Sequence, residues 1–197
     1  MKKKSKRIKG KIICLDPGIR TCGLVEFIDG NITGAANFCP EDAMRYILQE
    51  SNDGPLLVIY EDIQYFSVRL GQHVIDTAKL IGKFEYRMTE AGIKYDSVKR
   101  WQVKKWVYDT YLDIAQPRIE KKIESGRITK ENGEFVKSKF VFVDDRIVCA
   151  AMRKHWKIPT PKPGQESMYG LSKHSWQALA IFSTWVSICE KPRSLPS

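Results

Sequence analysis

Short apolar runs that end at turns or acidic residues recur through the first half of the chain. They predict five strands, over residues 11–17 (KIICLDP), 22–30 (CGLVEFIDG), 31–38 (NITGAANF), 55–62 (PLLVIYED) and 93–98 (IKYDSV). The first two are expected to be joined by a turn at Pro17–Gly18. The fourth run is apolar almost throughout, which is typical of a strand that is covered on both faces.

Apolar residues at helical spacing occupy the intervals between these runs and most of the second half. They predict helices over residues 40–51, roughly 73–91, 99–112, about 144–156 and 173–189. Residues 113–140 are charged and poor in apolar residues, and we interpret them as an insertion that is partly helical. Residues 157–172 contain three prolines and two glycines, which indicates a loop. The alternation of strands and helices favours an α/β fold.

Two of the predicted strands run into a carboxylate at their C-terminal end. Asp16 follows Leu15 in the first strand, and Glu61 ends the run LLVIYE. If these strands are neighbours, the two acids repel each other unless a cation lies between them, and Mg²⁺ or Mn²⁺ prefers such oxygen ligands. Two simpler interpretations stay open: Asp16 hydrogen-bonds its own turn, or Glu61 only faces water.

A third group of polar residues precedes the last apolar helix, in the segment 170–185, GLSKHSWQALAIFSTW. His174 and Gln177 are three residues apart and are expected to share a face at the first turn, with Ser172 as a possible cap. A single histidine more often has a structural role than a ligand role. Its place beside a second polar side chain, where a helix could meet two strand ends, favours a functional role here.

Charge and composition narrow the function classes. The chain has 197 residues, a size typical of one domain, and a net charge of +10, which indicates a polyanionic partner: nucleic acid first and an acidic membrane surface second. No apolar run is long enough to cross a bilayer, and the basic start MKKKSKRIKGK is unlike a signal peptide. Five scattered cysteines without a CxxC pair fit a reducing compartment and argue against a disulfide framework or a structural zinc site.

Four motifs, in order, resemble those of RuvC-type Holliday junction resolvases: ICLDPGIRTCGLV, VIYEDIQYF, WQVKKWV and KHSWQALAIF. The resemblance covers most of residues 11–187. It implies an RNase H-like fold, a mixed five-stranded sheet flanked by helices in a single domain. We expect a basic flexible tail over residues 1–10, the nuclease domain over 11–189 and a C-terminal tail over 190–197.

The resemblance also implies roles for individual residues. Asp16 would contact two Mg²⁺ (or Mn²⁺) ions and Glu61 would supply a second carboxylate, while His174 occupies a position where the family has Asp or His. Gln177 departs from the family, which has Asp before ALA, so the site loses one negative charge and should hold its second ion less tightly. Asp144 or Asp145 could compensate if that helix start turns inward; the alternative is that both only cap the helix.

The implied reaction is hydrolysis of phosphodiester bonds with two metal ions, at four-way DNA junctions, by a homodimer. A basic surface of Lys99, Arg100, Lys104 and Lys105 is expected to contact the phosphate backbone. Tyr65 and Phe66 are candidates for stacking on unpaired bases, although both could equally be core residues. Two alternatives stay open: a protein that binds branched DNA without cutting it, and a related nuclease acting on flaps. The family implies a cytoplasmic location in a bacterial cell or a phage-infected host, with no membrane partner.

Overall fold

A five-stranded sheet forms the centre of the computed structural model, which describes residues 9–63, 71–126, 139–162 and 167–190. Its strands are β1 (Lys11–Asp16), β2 (Cys22–Ile28), β3 (Asn31–Phe38), β4 (Leu56–Asp62) and β5 (Lys94–Lys99). β2 is antiparallel to β1 and β3, whereas β4 is parallel to β1 and β5. The order β3-β2-β1-β4-β5 places β1 in the middle. All five predicted strands are confirmed.

Six α-helices flank this sheet in the described part of the chain. They are α1 (Pro40–Asn52), α2 (Gln72–Glu90), α3 (Arg100–Thr110), α4 (Leu112–Glu124), α5 (Asp145–Trp156) and α6 (Ser175–Glu190). Two short 3-10 helices, Lys139–Phe142 and Met168–Gly170, precede α5 and α6 respectively. The predicted loop over residues 157–172 is therefore confirmed with one short helical turn inside its described part.

The two faces of the sheet carry separate apolar layers because successive strand residues point to opposite sides. On β1, Ile12 and Cys14 pack in the layer that α3, α4, α5 and α6 cover. Ile13 and Leu15 pack in the opposite layer, which α1 and α2 cover. Both faces of β1 are thus buried, and its C-terminal end emerges between the two helical layers.

Helix α6 is apolar around most of its circumference and lies in the larger of these layers. It packs on β1 and β2 and against α5. Phe182 stacks on Phe27 of β2 with ring centroids 3.7 Å apart, and the Trp156 indole donates a hydrogen bond to Ser183 at 3.1 Å. This packing fixes the start of α6 beside the C-terminal end of β1.

The helix predicted over residues 99–112 is in fact interrupted. α3 ends at Thr110, and Tyr111, with φ −125° and ψ 49°, leaves the helical conformation before α4 begins. At this break the Tyr111 side chain is buried against Trp106 and His155. The segment 113–140 is partly helical as predicted, through α4; residues 127–138 lie outside the described part.

The last helix begins two residues later than predicted, and Ser172 does not cap it. Lys173 has a left-handed backbone with φ 41°, so the helix starts at Ser175. The Ser172 hydroxyl instead accepts a hydrogen bond from Asn37 Nδ2 at 2.8 Å, and the Ser172 carbonyl accepts another at 3.1 Å. These bonds attach the segment before α6 to β3.

Across the described ranges, none of the helices has both the length and the apolar character needed to span a bilayer.

Candidate active site

The C-terminal ends of β1 and β4 bring two carboxylates side by side. The strands are parallel neighbours in register, with Leu15 opposite Tyr60, so Asp16 and Glu61 follow at the same edge. Both residues are largely removed from solvent, at 8% exposure for Asp16 and 6% for Glu61. The predicted meeting of the two acids is therefore present in the fold.

A glycine opposite Asp16 allows a third group to approach. Gly23 pairs with Asp16 across β1 and β2, and a Cβ atom on Gly23 would lie 2.2 Å from the backbone carbonyl carbon of His174. Only the absence of a side chain at Gly23 lets the segment before α6 rest directly on β2. His174 Nδ1 consequently lies 3.0 Å from Asp16 Oδ2.

Helix α5 contributes a fourth group from the opposite side. Asp145, its first residue, accepts a hydrogen bond through Oδ1 from Gln177 Nε2 at 2.8 Å. The preceding residue, Asp144, is directed differently: its Oδ1 accepts from the Ile147 backbone N–H at 3.0 Å, and its Oδ2 pairs with Lys122 at 2.7 Å. Asp144 is thus the helix cap, as one sequence interpretation held, and Asp145 faces the other acids.

The electrostatic setting of Glu61 is unusual for a carboxylate. Burial raises its pKa from 4.5 to about 7, and the nearby charge of Asp16 acts in the same direction. The Arg100 guanidinium opposes this rise, with its nitrogen 3.4 Å from Glu61 Oε2. A positive charge that penetrated further into the cleft would relieve the remaining cost of ionising Glu61.

The pKa values of two basic groups at the site also depart from their ordinary values. The hydrogen bond to Asp16 raises the pKa of His174, with the charge of Asp145 adding to the effect, so the imidazolium form is favoured beside the acids. Burial, followed by the neighbouring Arg100, lowers the pKa of Lys104.

One open cleft of about 730 Å³ collects these side chains. It runs between the β1–β2 turn, the end of β4 and the starts of α2, α3, α5 and α6. Its polar lining includes Asp16, Arg20, Thr21, Glu61, His73, Thr77, Arg100, Asp145, His174 and Gln177. Arg20, His73 and Thr77 were not among the sequence candidates, although the exposed charge in the turn after Asp-Pro-Gly was a usable signal for Arg20.

The donors in this cleft are of the kinds that hold Mg²⁺ or Mn²⁺: three carboxylates, two imidazoles and one amide oxygen. In the described ranges no three His, Cys, Asp or Glu side chains form a cluster able to hold a metal ion as they stand. Three contacts instead engage these groups: His174 meets Asp16, Arg100 meets Glu61 and Gln177 meets Asp145. The donor set therefore fits divalent ions chemically, and these three contacts are the ones that ion binding would exchange.

The predicted DNA-contacting residues divide into two groups. Arg100 lines the cleft, and Lys104, one turn further along α3, is within electrostatic reach of Glu61 and Asp145. Lys105 lies apart from them, pairs with Asp109 at 2.7 Å and borders a separate groove between α3 and α6. Lys99 precedes α3 and its backbone N–H donates to Gln102 Oε1 at 2.8 Å.

The two aromatic candidates, Tyr65 and Phe66, lie outside the described residues, and so do residues 1–8 of the expected N-terminal tail.

No protein-family model matches the chain, and no curated protein sequence matches it. Among solved structures, it resembles Thermus thermophilus RuvC in complex with a Holliday junction substrate, with TM-score 0.52, 15% identity and coverage of 88% of this chain and 90% of that chain. A second Thermus thermophilus RuvC structure gives TM-score 0.52 and 13% identity, covering 91% of this chain and 97% of that chain. The sheet, the helices and this likeness establish the expected RNase H-like fold, in its RuvC-like form.

Proposed function

We propose that this protein is a metal-dependent endonuclease that hydrolyses phosphodiester bonds in branched DNA, with four-way junctions as its substrate. The observation that carries the proposal is the meeting of Asp16 and Glu61 at the ends of two parallel strands, with His174 and Asp145 facing them in one cleft. Buried carboxylates of this kind are costly without cations, and divalent ions at a nuclease centre supply such charge.

Each residue has a definite role in this proposal. Asp16 and Glu61 would hold two divalent ions, and ions bound there would supply the activation of water and the stabilisation of the leaving 3′ oxygen that phosphodiester hydrolysis needs. In the ion-free protein His174 holds a proton at the edge of the cleft, because its bond to Asp16 raises its pKa, and this contact is one that ion binding would exchange. Arg100 and Lys104 bring positive charge towards the scissile phosphate and neutralise the backbone there.

The net charge of the chain and its similarity to a solved structure together support branched DNA as the substrate class. The net charge of +10 favours a polyanion, and Arg20, His73 and Arg100 line the cleft itself. The structural neighbour is seen in complex with a Holliday junction substrate, which supports a branched DNA over a simple duplex. Contacts to phosphates give affinity for any duplex, so the preference for a junction would come from shape.

The direct test incubates the full chain with a four-way junction, labelled on each strand in turn, and Mg²⁺ or Mn²⁺. We expect paired nicks placed symmetrically across the junction and none in a linear duplex of the same sequence. The Asp16→Asn variant serves as the control for contaminating nucleases. Cleavage confined to flap substrates would reassign the protein to a related nuclease class.

The second candidate function is a protein that binds branched DNA without cutting it. The neutral Gln177 and the Arg100–Glu61 ion pair favour it, because both reduce the negative charge that is free to hold ions. In that case the junction would be retarded in a gel at all ion concentrations, with intact strands. A homodimer that presents two clefts to one junction is part of our proposal, and sedimentation of the free and DNA-bound protein tests it.

A further inference from the structure

Helix α6 brings a neutral side chain to a cleft in which acids predominate. Gln177 lies on its first turn and lines the same cleft as Asp16 and Glu61. An amide oxygen is a weaker ligand for a hard cation than a carboxylate, because it carries no full charge. If α6 were the only source of a further ligand, the centre would have two carboxylates.

The start of α5 offers a third carboxylate. Asp144 and Asp145 are adjacent in sequence but differ in their contacts: Asp144 bonds the helix backbone at Ile147 and the Lys122 ammonium, and both of its oxygens are engaged. Asp145 lines the cleft with Asp16 and Glu61, and Asp144 does not.

Gln177 restrains Asp145 in this position. Its Nε2 donates to Asp145 Oδ1 at 2.8 Å, which connects two helices across 32 positions of the chain. Asp145 is exposed, so without such a bond its carboxylate could turn towards solvent. The amide group of Gln177 can make this contact, whereas a carboxylate at the same place would repel Asp145.

We propose that Asp145 provides the third carboxylate of the metal centre from α5, and that Gln177 is a positioning residue that orients it. This inference rests on the proposed function, since it concerns the same cleft. In this chain the acid and the amide act as a pair, because α5 supplies the charge and α6 holds it in place.

The first experiment measures Mn²⁺ binding to the full chain by titration calorimetry, without DNA. Asp145→Asn keeps the shape and the hydrogen bond from Gln177 but removes the charge, and we expect affinity to fall by at least about tenfold. Asp144→Asn is the matched control, one residue away; it removes the charge that pairs with Lys122 but keeps a capping side chain, and should leave Mn²⁺ affinity near that of the wild type.

A compensating variant makes the test sharper. Combining Asp145→Asn with Gln177→Asp returns the carboxylate to α6 and reverses the hydrogen bond between the two positions. We expect Mn²⁺ affinity to recover to within about threefold of the wild type. No recovery, with a normal melting temperature, would contradict the pairing of the two positions and overturn the role proposed for Gln177.

The role of Gln177 is tested by a double-mutant cycle. Gln177→Ala should weaken Mn²⁺ binding less than Asp145→Asn does, and should have no further effect when Asp145 is already Asn. Additive losses would mean that Gln177 acts on the ion independently of Asp145.

Two failures are distinguishable. If the wild-type protein binds no Mn²⁺ at all, the proposed function fails with the inference. If the wild type binds Mn²⁺ and Asp145→Asn binds it equally well, the inference is overturned while the proposed function stands.

Discussion

Asp16 and Glu61 end neighbouring strands in the same way and are almost equally buried, yet they have different partners. Asp16 contacts His174, whose position depends on the packing of α6 against β1 and β2. Glu61 contacts Arg100, an exposed side chain at the start of α3, and its pKa is raised to about 7. The first acid is held by a neighbour fixed through core packing, and the second by a long side chain at the edge of the cleft.

The difference shows that two acids buried to a similar degree at one edge of a sheet can have partners of quite different kinds. At Glu61 the cost of burial exceeds what Arg100 returns, so the proton is retained to higher pH. Divalent cations would therefore favour ionised Glu61, because they supply the positive charge that Arg100 supplies only in part. Four variants test this contrast between the two strand ends.

The largest effect is expected at Asp16. Asp16→Asn keeps the volume and a hydrogen-bond acceptor for His174 but removes the central charge of the proposed centre, so junction cleavage should fall by at least about a thousandfold. Gel retardation of the junction should be unchanged. Asp62→Asn is the control, since Asp62 follows Glu61 on β4 and its side chain points to the other face. Cleavage near the wild-type rate in Asp16→Asn would refute the site.

A second effect is expected in the stability of the Glu61→Gln variant as a function of pH. The pKa of Glu61 is about 7 in the folded protein, whereas the ordinary pKa of a free glutamate side chain is 4.5. Between these values the native state binds more protons than the unfolded state, so wild-type stability falls as pH rises. Glu61→Gln should lack this fall and be more stable at pH 8 by up to about 3 kcal/mol, measured by urea unfolding.

The pH dependence that remains in Glu61→Gln should come largely from His174. Its pKa is raised in the folded state, so its contribution is present below the unfolded value of 6.5 and is lost as pH rises through the folded value. If Glu61→Gln and the wild type have parallel stability curves from pH 4 to 8, Glu61 does not carry the proton assigned to it.

The third effect concerns the support of His174. Gly23→Ala would place a methyl group 2.2 Å from the His174 backbone, so the segment before α6 must move. The free energy of unfolding should therefore fall by about 1–3 kcal/mol. Gly34→Ala is the matched control, because a Cβ atom there meets nothing within 4 Å. Equal stability losses in the two variants would show that contact at Gly23 does not hold the site.

The smallest effect is expected at Arg100. Arg100→Ala removes the charge that favours ionised Glu61, so the pH range in which stability falls should shift upwards, with a change of less than about 1 kcal/mol at pH 8. Lys105→Ala, on the same helix but paired with Asp109, should leave that range unchanged. A shift in Lys105→Ala would indicate a general charge effect.

The fold was predictable because apolar runs and turns act locally. The strands that carry Asp16 and Glu61 end where their apolar runs end, and the assumption that the two strands are neighbours was enough to predict that the acids meet. The break at Tyr111 was not predictable, since a buried tyrosine that ends a helix has the same spacing as one that continues it. The start of α6 was misplaced for a similar reason: the left-handed Lys173 has no signature in a sequence without glycine there.

The details of the site depend on contacts between distant segments, which periodicity does not report. Asp144 and Asp145 are equivalent as sequence, and only the placement of Lys122 and Gln177 distinguishes the cap from the cleft residue. The separation of Arg100 from Lys105 could have been predicted from the sequence, since residues 100 and 104 share a helix face and residue 105 does not.

The bond between His174 and Asp16 joins positions 158 residues apart, and this separation bears on how the chain is synthesised and folds. A chain leaving the ribosome has all five strands available well before α6 is synthesised, and until α6 docks, the apolar face of β1 and β2 is uncovered. Closing a loop of this length costs chain entropy, and folds rich in such contacts fold slowly. Completion of the cleft is therefore coupled to closure of the core, so a partly folded chain would hold two acids but no assembled centre.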